Sequence, residues 1–221
     1  MKYRQWRRGP ERAAERAALE AAGIPPLPAL VLSARGIDTP EKARAFLSCG
    51  RERLADPFLL RDMDRAVERI QLALTRGETV SVYGDYDVDG ITSTCLLTSY
   101  LRERGCRVIP HIPDRMEEGY GVGRVALAAL AEQRVTLVVT VDCGITAVEE
   151  ARHATRLGMD LVITDHHECK EELPAALAVV DPHQADCPYP FKCLAGVGVA
   201  LKLVLALGGK PRPEEIGRAH V

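Results

Sequence analysis

The stretch VSVYGDYDVDGITS occupies residues 80–93 of the chain. Its first part is apolar and β-branched, as a strand covered on both faces requires. Its last residues open ITSTCLLTSYLRERG, whose apolar spacing predicts a helix that stops at Gly105. Between the two lie Asp85, Asp87 and Asp89, followed by Gly90. A strand, an acidic turn and a helix in that order predict the opening of a βαβ unit.

The same alternation continues outward. MDRAVERIQLALTRG, starting at Met63, has helical spacing and stops at Gly77. Downstream, CRVIPHI reads as a strand, GRVALAALAEQ as a helix, TLVVTVD as a strand and ITAVEEARHATRLG as a helix. DLVITD and LAVVD are two more strands, and VGVALKLVLALGG is a last helix. The expected fold class is α/β: a doubly wound, mainly parallel sheet with flanking helices, preceded by a small helical N-terminal segment. Residues 1–62 are expected to form that lead-in, residues 63–209 the main domain, and residues 210–221 a tail. Within the lead-in, Thr39 has the place of a helix N-cap and Pro40 that of the first helical residue.

Composition narrows the function classes. With 29 Lys+Arg against 31 Asp+Glu, the net charge is -2, which argues against a uniformly basic nucleic-acid binder. It leaves room for a local basic groove. Lys2, Arg4, Arg7, Arg8, Arg12 and Arg16 outnumber Glu11, Glu15 and Glu20 at the N-terminus. A solvated helix face is the plain reading of that arm, and phosphate contact the sharper one. No apolar run approaches the ~20 residues that span a bilayer. No apolar signal core follows the first charges, so a cytoplasmic protein is expected. The 7 cysteines include no CxxC pair and read as buried thiols in a reducing compartment. Cys169, Cys187 and Cys193 match no common zinc-module spacing.

Carboxylates fall at one kind of place. Asp85, Asp87 and Asp89 follow the first strand, Asp142 ends TLVVTVD, Asp165 with His166 and His167 ends DLVITD, and Asp181 ends LAVVD. In a parallel sheet those ends share one edge, where open α/β folds bind ligands. One aspartate after a strand is commonly a helix cap. Four strands ending so, one with a His pair, predict a shared acidic crevice instead. Such a crevice needs a counter-charge, and oxygen ligands with an occasional imidazole suit Mg2+ or Mn2+, with enough ligands for two ions. An EF-hand calcium loop also opens with alternating aspartates and a glycine, but its twelfth position must be Glu. Counted from Asp85 that position is Leu96, in an apolar helix. A Walker-type phosphate loop lacks its lysine here. Cys143, next to Asp142, has no positioned base and reads as a small core residue. His111 and His183 read as loop or core histidines.

DYDVDG, VVTVDCG, VITDHHE and VVDPHQADCPYP, in this order, resemble the four motifs of the DHH phosphoesterase superfamily. IPDRMEEGYGV and LAGVGVALKL resemble its RecJ-like branch of single-stranded-DNA-specific exonucleases. The resemblance implies metal ligands at Asp85, Asp87, Asp89, Asp142, His166 and Asp181, with Asp142 bridging two Mn2+ or Mg2+ ions. It implies that Asp165 orients the His166 ring and that His167 faces the scissile phosphate. Arg115 is implied to bind phosphate and Tyr120 to stack on a base or sugar, with Gly119 and Gly121 allowing close approach. Pyrophosphatase-like members carry a His where this chain has Tyr83, which favours the RecJ-like reading.

The implied activity is hydrolysis of single-stranded DNA from the 5′ end in repair and recombination. Single-strand-binding protein and a helicase are the implied partners, and a monomer the implied state. A phosphodiesterase of short oligonucleotides or cyclic dinucleotides, and a non-catalytic replication scaffold, are the alternatives. RecJ-like enzymes also carry a second domain and an OB-type module, so weak activity is expected of this stretch alone. The closing EIGRAHV can be written in codons that resemble a sequencing adapter, so a non-native tail is expected.

Overall fold

The computed structural model describes residues 12–48, 54–114, 116 and 119–210. Lys2, Arg4, Arg7 and Arg8 of the basic arm, the expected phosphate ligand Arg115, and the tail from residue 211 lie outside the described residues. The chain divides into two compact units, Met1–Leu54 and Ala55–Val221. The division falls upstream of the expected 62/63 boundary. Leu60 is buried in the core of the second unit, and Asp62 Oδ2 accepts a hydrogen bond from Val179 N there.

The first unit contains three short helices, α1 (Ala13–Ala21), α2 (Pro26–Ala34) and α3 (Pro40–Leu47). Leu19, Ala29, Leu32 and Ala43 form its small core. Thr39 caps α3 as expected: its hydroxyl accepts from Lys42 N at 3.2 Å, and Pro40 follows.

The second unit contains α4 (Met63–Arg76), β1 (Thr79–Tyr83), α5 (Val88–Glu103), β2 (Arg107–His111), α6 (Arg124–Glu132), β3 (Val135–Val141), α7 (Val148–Arg156), β4 (Asp160–Thr164), β5 (Ala178–Val180) and α8 (Gly196–Ala206). The five strands pair in parallel in the order β2-β1-β3-β4-β5. Pro110 lies in β2, an edge strand, where its missing N–H costs the sheet no central ladder bond.

Strand residues alternate between two cores. Val80, Val82, Leu137, Val139, Val141, Val162 and Val180 pack with α4, α5 and α8. Tyr83, Val138, Leu161, Ile163 and Val179 pack with α6 and α7. Helices therefore cover both faces, which is the doubly wound α/β architecture expected from the apolar strands. From β1 the chain moves outward to β2; from β3 it moves the other way to β4 and β5. The crevice of such a sheet opens at the carboxyl ends of β1 and β3.

At the opposite edge, Arg69 of α4 is nearly buried and ties three elements together. Its Nη2 reaches Glu78 at 2.7 Å and its Nε reaches Asp160 at 2.6 Å. Thr136 Oγ1 donates to the same Glu78 carboxylate. Burial pushes the Glu78 carboxyl up, and the bonds from Thr136 and Arg69 outweigh that and hold it below its ordinary range.

Candidate metal centre

The backbone that leads into the acidic residues is fixed by the neighbouring strand. Gly84 N donates to His111 O, Asp142 N to Thr164 O and Asp165 N to Val180 O, so the sheet ladder runs on past the strand ends. Asp142 itself has φ 62, in the left-handed region that aspartate tolerates better than most residues. That kink turns its carboxylate into the crevice, where it is 1% exposed.

Asp87 caps α5 by accepting from Gly90 N at 2.9 Å. A Cβ on Gly90 would lie 2.6 Å from Asp85 N, so the glycine makes room for the backbone of the acidic turn. Asp89 lies in the first turn of α5 and reaches α8. Its Oδ2 accepts from Gly196 N at 2.6 Å and its Oδ1 from Val197 N at 2.7 Å. Gly196 also makes room for Asp142, since a Cβ there would stand 2.6 Å from Asp142 Cγ. The first turn of α8 is thus wedged between two carboxylates of the crevice.

Asp165 is buried and saturated. It accepts from Ile145 N at 2.8 Å, His166 N at 2.7 Å, His167 N at 3.2 Å and His167 Nδ1 at 2.7 Å. It therefore orients the His167 ring, not the His166 ring implied by the resemblance. The Nδ1 of His167 lies within direct reach, whereas His166 offers this carboxylate its backbone N–H. Burial pushes the Asp165 carboxyl up, but the His167 and Ile145 bonds outweigh it and hold the group low. In return, the Asp165 bond pushes the His167 imidazole up to about 9. His166 Nε2 stands 3.0 Å from Asp142 Oδ1 and 3.7 Å from Asp89 Oδ2, and the Asp142 contact raises its pKa.

Several buried carboxylate oxygens have no hydrogen-bond donor: Asp85 Oδ1, both oxygens of Asp142, and Asp181 Oδ2. The His166 contact at Asp142 Oδ1 has the distance of a hydrogen bond but not its direction. Burial is the main cause of raised pKa values at Asp85, at Asp142 (about 6) and at Asp181 (about 7). Buried anions without donors are costly in a protein interior unless a cation is shared among them. Among the described residues, two groups of ligand atoms lie within 4.8 Å of one another: Asp85, Asp87 and Asp142, and Asp142, His166 and His167. Asp142 belongs to both. An oxygen-rich set with imidazole fits Mn2+ or Mg2+.

Of the six ligands implied by the resemblance, these groups bring together Asp85, Asp87, Asp142 and His166. Asp89 and Asp181 fall outside both. Asp89 is bonded to α8, and Asp181 Oδ1 accepts from His183 N at 2.7 Å, while its charge still raises the His167 pKa. The Cys143 thiol is buried, pushed well above its ordinary pKa, and donates to Tyr83 O, so it is a core residue. Cys169, Cys187 and Cys193 enter no such group among the described residues.

Tyr120 and Gly121 stand over the crevice. Tyr120 is 56% exposed, its hydroxyl lies 3.4 Å from His167 Nε2, and its ring meets those of Tyr86 and His167 edge-on. Gly119 and Gly121 on either side have φ 80 and 85. Two further features leave no mark in the sequence: Gly196 packed on Asp142, and the buried Tyr83 hydroxyl bonded to Gly121 O at 3.1 Å. Both join distant segments.

Carboxylates and a His pair gather at the switch point of a parallel sheet, and the chain belongs to the DHH family. Residues 79–219 match the DHH family, N-terminal domain. The chain is similar to the single-stranded-DNA-specific exonuclease RecJ of Bacillus subtilis (strain 168), with 47% identity over 197 residues, 89% of this chain and 25% of that protein. The Escherichia coli (strain K12) protein of the same name is 37% identical over 191 residues, 84% of this chain and 32% of that protein. Among solved structures, RecJ in complex with Mn2+ from Thermus thermophilus superposes with a TM-score of 0.70 and 31% identity, over 93% of this chain and 29% of that one. The chain thus spans between a quarter and a third of these relatives. No helix among the described residues is long and apolar enough to cross a membrane.

Proposed function

We propose that this chain supplies the metal-binding half of a phosphodiesterase active site that hydrolyses single-stranded DNA from the 5′ end, in DNA repair and recombination. The observation that carries this reading is the set of buried, donor-free carboxylate oxygens at Asp85, Asp142 and Asp181. Mn2+ or Mg2+, two ions when bound, supplies a water of lowered pKa and charge neutralisation at the phosphodiester. Asp85, Asp87 and Asp142 would hold one ion; Asp142 and His166, with Asp89 and Asp181, would hold the other. The similarity to RecJ structures described as manganese-bound supports that choice.

The chain's own residues do the rest. Asp165 holds His167 through Nδ1 and favours its charged form, which would let Nε2 donate to a phosphate oxygen. Tyr120 offers an exposed ring for a base or sugar, beside Gly121. Arg115 would bind a phosphate bidentately. The names of the relatives support single-stranded DNA as substrate. Single-strand-binding protein and a helicase are the partners this reading expects, and the cytoplasm its compartment.

The test is Mn2+-dependent cleavage of single strands labelled at either end, with a dinucleotide as competitor. The reading predicts release from the 5′ end, and none from Asp142→Ala. Cleavage retained in Asp142→Ala removes the site assignment, and preference for the dinucleotide moves the substrate to short oligonucleotides.

A further inference from the structure

Tyr83 ends β1, is fully buried, and belongs to neither ligand group. Its hydroxyl is used twice. It donates to Gly121 O at 3.1 Å and accepts from Gly123 N at 3.0 Å. Gly123 is the N-cap residue of α6, and Ala126, three residues on, has no side-chain acceptor to reach back to that N–H. The two bonds bracket Val122 and fix the short stretch that carries Tyr120. With φ 80 and 85, Gly119 and Gly121 give that stretch a backbone that costs little to bend, so its order depends on outside anchors. Tyr120 in turn has its hydroxyl 3.4 Å from His167 Nε2.

We propose that Tyr83 is a positioning residue: its hydroxyl clamps Gly121 and Gly123 to the end of β1 and so holds the Tyr120 ring over His167, where a nucleotide of the substrate stacks. The inference rests on the nuclease reading for the identity of that substrate, but the clamp itself does not. A hydroxyl can donate and accept at once, so phenylalanine cannot replace it although it fills the same volume. The ring contact with His111, centroids 4.6 Å apart, remains available to phenylalanine.

The experiment compares the wild-type chain with Tyr83→Phe and Tyr120→Ala by three readouts. Amide hydrogen exchange reads the clamp, Mn2+ calorimetry reads the metal centre, and fluorescence anisotropy of a labelled, cleavage-resistant phosphorothioate oligo-dT in Mn2+ reads the nucleotide site. In Tyr83→Phe, exchange at Gly123 N is expected to accelerate by about tenfold or more, as for a lost buried hydrogen bond. Mn2+ affinity should stay within about twofold, and oligonucleotide affinity should fall about tenfold, approaching the Tyr120→Ala value. Unchanged exchange at Gly123 overturns the clamp, whatever the other readouts do. Faster exchange with unchanged oligonucleotide affinity overturns its role in binding. Wild-type protein that binds Mn2+ but no oligonucleotide counts against the nuclease reading, while the exchange result still decides the clamp.

Discussion

Removing the charge of Asp181 should stabilise the metal-free protein. Asp181 is fully buried, its Oδ2 has no donor, and burial lifts its pKa from 3.8 to about 7. A carboxyl whose folded pKa is raised binds its proton more tightly folded than unfolded. Stability therefore falls as pH rises between those two values, and the full penalty is present above the upper one. The rise from 3.8 to about 7 corresponds to about 4 kcal/mol. Asn at this position keeps the Oδ1 acceptor for His183 N and carries no charge. In EDTA at pH 8, Asp181→Asn should be more stable than wild type by about 3–4 kcal/mol, less any cost of its own unpaired amide. At pH 4 the two should nearly coincide. Urea unfolding followed by circular dichroism measures both. Saturating Mn2+ should reverse the order at pH 8, because the ion binds the folded wild type and neutralises the same charge. If Asp181→Asn is no more stable than wild type at pH 8 in EDTA, or the difference does not vary with pH, the account of a crevice that carries uncompensated charge is wrong.

Other parts of the molecule give three more outcomes. Gly196→Ala would bring a methyl to 2.6 Å from Asp142 Cγ, so Mn2+ affinity in calorimetry should drop by about 10–100-fold, as when the surroundings that orient a metal ligand are disturbed, while the helix survives. Asp165→Asn should return the His167 imidazole from about 9 toward its ordinary 6.5, read by NMR titration; a pKa still near 9 would remove Asp165 as the cause. Arg69→Met should destabilise the fold by about 1–2 kcal/mol, because it removes the shared cation from Glu78, which keeps its Thr136 bond, and from the half-exposed Asp160, yet leave Mn2+ affinity intact, since that network lies at the opposite edge of the sheet.

The architecture was legible because each strand is a β-branched run and each helix has its own period and stop. Asp85, Asp142, Asp165 and Asp181 follow strands of one parallel sheet and so share an edge, though Asp181 lies outside both ligand groups. What stayed hidden depended on side-chain direction or on contact between distant segments. Nothing in DHH says which ring the aspartate holds; His167 Nδ1 is bonded to it, and His166 turns to Asp142. Nothing near Asp89 announces that its carboxylate meets the start of α8. Nothing in the acidic turn shows that the atoms Gly90 makes room for belong to the Asp85 backbone. Tyr83 is informative in sequence only as a missing histidine, and its hydroxyl bonds become visible once β1 and the Gly121 turn are in place.

The central claim is that Asp142 joins two cation sites in one crevice, and Mn2+ calorimetry on the wild-type chain and Asp142→Asn tests it most directly. The account predicts two Mn2+ per wild-type chain and loss of both from the variant, with circular dichroism unchanged. Absence of saturable binding to the wild type, or the same stoichiometry and affinity in the variant, would contradict it.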